Sequence, residues 1–379
     1  RKVNADILIS TDPDADRIGV MINHNGSWQF LTGNEIGSIL TNYAISKYRS
    51  KGRLNRNSVV IKTDVTTSLV EKIALENGVQ CIGDLLVGFK YIADEMNKIE
   101  KEGKIEDFIF GTEESHGYLT GNYARDKDAA CAAIWLSEHA AELKKQQKTL
   151  LDDLNDIYST YGYCHNYLTE IRLLGAKGME QIGLIMDHLR STQIESFENF
   201  RVKNRMDRRQ GDPQPHLSET DTSARNMLIY YLDDLPTTAG IKITVRPSGT
   251  EPKIKMYFEV IGKPCNPENL ADERAKITAI RQKLEKIFMQ YCYRLLGVDF
   301  PDRGFLLFWQ LPLNDKLKYF EIEDEISNLK NTADTKTRKN ELDKLLLFLG
   351  ANPVEKVDNA FRAKYNAGIL EFLELSGVA

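Results

Sequence analysis

Three short stretches concentrate the residue types that chemistry needs. Thr11-Asp12-Pro13-Asp14-Ala15-Asp16-Arg17 puts three carboxylates at alternate positions of one loop. Hard oxygens converging at that spacing suit Mg²⁺. A calcium EF-hand is excluded, because its sixth position would be Arg17 instead of glycine and its twelfth Asn23 instead of glutamate. Taken alone, the loop fits equally well a solvated, Asp-rich turn that caps its own backbone.

Arg246-Pro247-Ser248-Gly249-Thr250-Glu251-Pro252-Lys253 combines a fork-shaped cation, two hydroxyls, a glycine and a second cation, a set able to cradle a phosphate dianion. Gly249 is expected to take a positive φ and bare backbone N–H groups, while Pro247 and Pro252 stiffen the turn. The competing reading is a hairpin loop whose Ser, Gly and Pro serve only the turn. The third stretch, Gly111-Thr112-Glu113-Glu114-Ser115-His116-Gly117-Tyr118, follows a strand ending at Phe110, and ligands of α/β sheets bind at such C-terminal ends. Its adjacent acceptors can grip sugar hydroxyls. Downstream, Arg125-Asp126-Lys127-Asp128 opens a helix, and Lys127 can meet a phosphate or share a proton; by pattern alone the stretch reads more readily as a helix cap with surface charges. His116, a lone histidine in a loop, reads as solvated or hydrogen-bonded and is left out of the chemistry.

These loops need strands and helices to hold them. Ala5 to Ser10 and Ile18 to Ile22 read as strands flanking the acidic loop, and Asn25-Gly26 turns the chain into Trp28 to Leu31. Thr32 and Glu35 have capping-box spacing ahead of a helix to about Tyr48, and Ser68 and Glu71 repeat it ahead of the next. Val59-Val60-Ile61, Gln80 to Ile82 and Phe108-Ile109-Phe110 are short apolar strands separated by helices, one of them through Tyr91 and Met96. The alternation predicts a parallel α/β layer. Near Tyr161-Gly162-Tyr163 the pattern changes. A helix around Met179 to Leu189 and a polar stretch from Arg208 to Thr222 precede Ile241 to Val245 and Ile254 to Val260, whose alternation predicts half-buried antiparallel strands. A charged helix from about Glu268 to Leu295 closes this smaller α+β unit, and a helical extension rich in Lys, Glu and Leu runs to Ala379.

The 379 residues exceed one ordinary domain, and 42% hydrophobic with 28% charged residues describe a soluble globular protein. No apolar run approaches the roughly 20 residues that span a bilayer, so a membrane role is excluded. A formal charge of -5 argues against a nucleic-acid partner while leaving room for a local basic pocket. The five cysteines lack zinc or CxxC spacing and are expected to be reduced and structural. With no initiator Met and a strand beginning almost at Arg1, the start resembles no signal peptide, and the chain is expected to be a fragment of a cytoplasmic protein.

In this order, T-D-P-D-A-D-R, G-T-E-E-S-H-G and R-P-S-G-T-E-P resemble the metal, sugar and phosphate loops of the α-D-phosphohexomutase family. L-T-G-N-E at Leu31 to Glu35, V-G-F-K at Val87 to Lys90 and R-D-K-D at Arg125 to Asp128 resemble its bacterial phosphoglucomutase branch and phosphopentomutase relatives, although Leu85 and Val87 are apolar where that branch often has threonine. The resemblance, running from Arg1 to about Leu296, implies an α/β fold of three-layer parallel-sheet mutase domains followed by the phosphate-binding domain. Residues 1–31 would end the second domain, 32–160 form the third, 161–297 the fourth, and 298–379 a helical C-terminal extension suited to packing or oligomerisation. It also implies that Asp12, Asp14 and Asp16 hold Mg²⁺ and that Arg17 lies against a phosphoserine. Glu113 and Ser115 would take the sugar's 3- and 4-hydroxyls. Arg246, Ser248, Gly249 and Thr250 would bind the phosphate that is not reacting, and Lys127 would be a further contact. The implied reaction interconverts hexose 1- and 6-phosphates, of glucose or mannose, through a phosphoserine and a bisphosphate such as glucose 1,6-bisphosphate. No stretch matches the family's T-A-S-H-N-P phosphoserine loop, so the chain alone is expected to be inactive, as a monomer or homodimer. A phosphopentomutase and a non-catalytic sugar-phosphate-binding protein are the alternatives.

Overall fold

The computed structural model describes residues 5–210, 215–249 and 251–376. The chain opens with β1 (Ile7–Thr11), β2 (Ile18–His24) and β3 (Ser27–Leu31), an antiparallel meander. Asn25 and Gly26 both take positive φ, 53° and 81°, which suits the right-handed twist of a two-residue hairpin. Alternation along β2 turns Ile18, Val20 and Ile22 inward, while Leu8, Trp28 and Phe30 stay exposed.

Next come α1 (Gly33–Ser50), β4 (Val59–Thr63), α2 (Ser68–Glu76), β5 (Gln80–Leu85), α3 (Phe89–Lys101), β6 (Phe108–Glu113), β7 (Gly117–Thr120), α4 (Ala129–Lys145) and α5 (Leu150–Tyr161). The sheet order is β5-β4-β6-β7. Its first three strands are parallel, but β7 runs antiparallel to β6, so the layer is mixed where pure alternation predicted parallel strands. Only residues 114–116 separate β6 from β7, too few for a parallel crossover. β4 and β6 are buried throughout, as expected of strands covered on both faces. Val60 and Ile109 join α1, α2, α5 and the meander in one core; Val59, Ile61 and Phe108 join α3 in another.

The Thr32/Glu35 capping box forms: the Glu35 N–H donates to Thr32 Oγ1 at 3.3 Å and the Thr32 N–H to Glu35 Oε2 at 2.8 Å. The second expected box does not. Thr67 caps α2 through the Leu69 N–H (3.2 Å), and Ser68, the first helical residue, donates both its N–H and its hydroxyl to Glu259. A carboxylate from a distant strand has taken the place that sequence spacing gave to Glu71.

After Gly162 the chain builds β8 (Cys164–Arg172), α6 (Gly175–Ser191), β9 (Ser196–Phe197), β10 (Phe200–Asp207), the short α7 (Asp221–Ala224), β11 (Leu228–Leu232), β12 (Thr238–Pro247), β13 (Lys253–Gly262) and α8 (Leu270–Leu295). The sheet order is β8-β13-β12-β11-β10-β9, antiparallel throughout. One face buries Ile243, Val245 and Phe258 against α6 and α8. The other sets Met227, Ile229 and Tyr257 against Val65, Leu86 and Phe89 at the C-terminal ends of the parallel strands. The smaller unit therefore caps the larger one.

Finally, α9 (Leu313–Asn328), α10 (Thr335–Leu346), α11 (Pro353–Tyr365) and α12 (Ile369–Phe372) enclose a core of their own around Tyr319, Leu342, Val357 and Phe361. Phe300 joins this bundle to α8 by stacking on Tyr293, 4.4 Å between ring centres. Among the described residues, no helix is long and apolar enough to cross a membrane.

Candidate functional site

The acidic loop is the tip between β1 and β2, whose last pair is Thr11 with Ile18. Ala15 takes a φ of 55°, and Asp12 Oδ1 accepts the N–H groups of Asp16 (3.2 Å) and Arg17 (3.1 Å). This tight fold gathers Asp12, Asp14 and Asp16 so that an oxygen of each lies within 4.8 Å of the others. The Asp12 carboxyl titrates below its ordinary value: desolvation, the largest single influence, raises it, but hydrogen bonds from the Arg17 N–H and from the Asp16 side chain and N–H, with the Arg17 charge, together outweigh that. Asp16 Oδ1 is buried without a hydrogen bond among the described residues and lies 3.5 Å from Arg17 Nε. Three convergent carboxylates, one with an oxygen still to be satisfied, fit a hard divalent cation such as Mg²⁺.

The β6–β7 loop lies beside this tip. Arg17 bridges to Gly117, and the Ile18 N–H donates to the His116 carbonyl at 3.3 Å. Lys127 crosses above: its Nζ is 2.7 Å from Asp16 Oδ2, and its ammonium is held charged because Asp16 and Asp126 outweigh the desolvation that lowers its pKa. A Cβ on Gly117 would fall 2.5 Å from Lys127 Cδ and 3.4 Å from Glu113 Oε2, so only glycine lets the two side chains flank this strand so closely. Glu113 is 4% exposed and pushed up to about 7, by burial first and the Glu114 charge second, against Lys127 and Arg17. The structure thus brings Asp12, Asp14, Asp16, Arg17, Glu113 and Lys127 into one cluster, with the half-buried Ser115 on the same loop. The surface-charge reading of residues 125–128 holds for two of them: Asp128 caps α4 through the Ala130 N–H (2.8 Å), and Arg125 binds Asn97 and Glu100. Lys127 is instead turned into the cluster.

The phosphate-loop candidate is the β12–β13 hairpin. The Ser248 N–H donates to the Lys253 carbonyl (2.8 Å) and the Glu251 N–H to Ser248 Oγ (3.3 Å). Arg246 stands opposite Lys255 in the register, on the strand face that also presents Thr244 and Lys242. Between this face and the larger unit lies a cleft of about 280 Å³, with Phe30, Asn34, Glu114 and His116 on one wall and Thr244 and Tyr257 on the other. Glu114 is raised by burial, while its own backbone N–H and the charges of Arg246 and Lys255 pull it down. Ser248 and Gly249 border a separate depression shared with α6. Gly249 does not take the expected positive φ; a Cβ there would meet Ser223 Oγ at an ordinary 3.6 Å. Thr250 lies outside the described residues.

Two cleft groups, Glu114 and His116, and one neighbouring cation, Lys255, are not marked by the sequence. Lys255 faces Arg246 only through strand register, and Glu114 reaches the cleft because the loop turns beyond Glu113. His116, set aside as solvated, has a φ of 68°, an imidazole pKa lowered chiefly by burial, and an Nδ1 without a hydrogen bond among the described residues. The lesser motifs also acquire places. The N–H of Thr67 donates to Asn34 Oδ1 (2.9 Å), and Lys90 pairs with the buried Asp221.

Comparison with known proteins bears on the whole arrangement. Residues 32–161 match the family model described as phosphoglucomutase/phosphomannomutase, alpha/beta/alpha domain III. A phosphoglucomutase of Staphylococcus aureus strain MSSA476 is 35% identical over 280 residues, 74% of this chain and 48% of that protein. The phosphoglucomutase of strain N315 is 36% identical over 260 residues, 68% of this chain and 45% of its own. The chain thus spans about half the length of the curated relatives it matches. The open form of the Paramecium phosphoprotein pp63/parafusin, a phosphoglucomutase, shares the fold with a TM-score of 0.52 at 19% identity, over 78% of this chain and 47% of that one. From the domain III match and the extended identity to phosphoglucomutases, the chain belongs to the phosphoglucomutase/phosphomannomutase family.

Proposed function

We propose that this chain supplies the metal-, sugar- and phosphate-binding parts of an enzyme that interconverts hexose 1- and 6-phosphates, with glucose or mannose as the sugar. The observation that carries the reading is the convergence of Asp12, Asp14, Asp16, Arg17, Lys127 and Glu113 near a cleft whose far wall is built partly by β12, the strand that carries Arg246. Asp12, Asp14 and Asp16 would hold Mg²⁺, which when bound neutralises charge on a transferring phosphoryl group. Arg17 lies at the same tip, half exposed and free to meet a phosphoseryl group. Glu113 and Ser115 accept and donate to the sugar hydroxyls, while Arg246, Ser248, Gly249 and Thr250 hold the phosphate at rest. Lys127, 2.7 Å from Asp16, stands between the metal loop and the sugar loop, where an ammonium can steady a phosphate oxygen or pass a proton.

A group that reads only phosphate at one end and hydroxyls at the other accepts the sugar in either direction. That is what a reaction through glucose 1,6-bisphosphate requires, since the intermediate must present each phosphate in turn. No stretch of the 379 residues matches the T-A-S-H-N-P phosphoserine loop, so the chain by itself is expected to bind and not to turn over.

Calorimetric titration with Mg²⁺ and glucose 1,6-bisphosphate tests the reading. Saturable binding that Arg246→Ala weakens about a hundredfold, the loss of a charge-assisted fork of about 3 kcal/mol, is expected. Mg²⁺ affinity should be unchanged in that variant. Equal bisphosphate binding by the variant and the unaltered chain would refute the role given to the β12–β13 loop.

A further inference from the structure

The larger and smaller units are joined covalently by a single crossing around Gly162, so contacts across their interface must set the distance from Glu113 and Ser115 to Arg246. Much of that interface is apolar: Met227, Ile229 and Tyr257 against Val65, Leu86 and Phe89. Apolar contact is non-directional and tolerates sliding. Ionic groups in the same interface are not so tolerant. Arg208, just after β10, donates from Nε to Asp64 Oδ2 and from Nη2 to Asp64 Oδ1, both at 2.8 Å, and from Nη2 to the Asp84 carbonyl at 2.7 Å. Arg208 and Asp64 are 4% and 5% exposed. Asp64 and Asp84 sit at the C-terminal ends of β4 and β5.

A second clasp lies on β12 and β13. Glu259 accepts the Ser68 N–H (2.8 Å) and hydroxyl (2.6 Å) at the N-terminus of α2, together with the Asn166 amide (2.7 Å). Lys242 donates to the Asp64 carbonyl and to Ser68 Oγ, each at 3.2 Å, and lies 3.2 Å from Glu259 Oε1. Four residues further along these paired strands, about 13 Å at strand rise, stand Arg246 and Lys255. A buried ion pair adds little net stability over apolar replacements, but it fixes geometry, most of all when an arginine fork meets a carboxylate.

We propose that Asp64 and Arg208, with the Glu259–Ser68–Lys242 clasp, are positioning residues that fix the span between the sugar-binding and phosphate-binding loops. The inference rests on the function proposed above. Inorganic phosphate needs only the β12–β13 loop, whereas a hexose bisphosphate must reach both loops at once. Misplacing one loop therefore weakens the second ligand and spares the first.

The test is calorimetry of the full chain with inorganic phosphate and with glucose 1,6-bisphosphate, for the unaltered protein, Arg208→Lys and Asp64→Asn. Either variant suffices if the other fails to fold, since each breaks the same fork. The bisphosphate should bind about tenfold more weakly in the variants, equivalent to about 1.4 kcal/mol, with phosphate affinity kept within about twofold. Unchanged bisphosphate affinity overturns the proposal. So does an equal loss for both ligands, which would mark general damage. An unaltered chain that binds phosphate but gains nothing from the sugar would instead sink the functional reading itself.

Discussion

Among single residues, Glu113 has the environment with the clearest consequence. Burial and the neighbouring Glu114 push its carboxyl up to about 7, from an ordinary value of 4.5. Between those two values the unfolded chain has released a proton that the folded one keeps, so this residue makes stability fall as pH rises from about 4.5 to about 7 and leaves it flat above. The difference corresponds to about 3 kcal/mol. Glu113→Gln should remove that slope, so urea unfolding of both proteins at pH 4.5 and pH 8 should show the variant gaining on the unaltered chain by about that amount. A parallel slope in the two proteins would contradict the buried carboxyl. Asp16→Asn offers a second test at this scale. It neutralises a carboxylate whose Oδ1 has no hydrogen bond among the described residues, and Mg²⁺ affinity measured by calorimetry should drop about tenfold or more.

Elements hold these residues through a few close approaches. The first residue of α1, Gly33, passes so near the β6–β7 loop that a Cβ would lie 2.0 Å from the Glu114 carbonyl oxygen. That contact is with backbone, which cannot rotate away. Gly33→Ala should therefore displace the loop that carries Glu113 and Ser115, lowering bisphosphate affinity more than inorganic phosphate affinity in the same titrations. Thr32, one residue earlier, caps the helix and also borders the cleft. Thr32→Ala should cost about 1 kcal/mol in thermal or urea unfolding, the ordinary loss of an N-cap. L-T-G-N-E thus holds two unlike functions in adjacent residues: a cap legible from Thr32–Glu35 spacing, and a close approach at Gly33 that no local pattern announces.

On the scale of the whole molecule, the smaller unit lies over the ends of β4 and β5 and leaves the end of β6 facing the cleft. Position in the fold, more than residue type, decides which of the three parallel strand ends can receive a ligand. The helical extension stands apart by its separate core and is joined through Phe300, which is 4% exposed, stacks on Tyr293, and sits where a Cβ on Gly304 would come within 2.3 Å of its ring. Phe300→Ala should destabilise the chain by about 3 to 5 kcal/mol in urea unfolding. A loss below about 1 kcal/mol would show that the joint relaxes around the gap.

What the sequence determined by itself was local. Three carboxylates at alternate positions, an arginine ahead of S-G-T, and strands with period-two or fully apolar patterns follow from chemistry within a few residues, and their order carried the family resemblance. The tertiary structure decided everything that depends on residues far apart in the chain. It turned Lys127 from a surface charge into a partner of Asp16, and gave the Ser68 end of α2 to Glu259 instead of Glu71. It set Lys255 opposite Arg246 and locked Asp64 to Arg208. Spacing fixes a partner only within a turn of helix or a pair of adjacent strands; beyond that reach, partners are chosen by which surfaces pack together, and packing belongs to the whole chain.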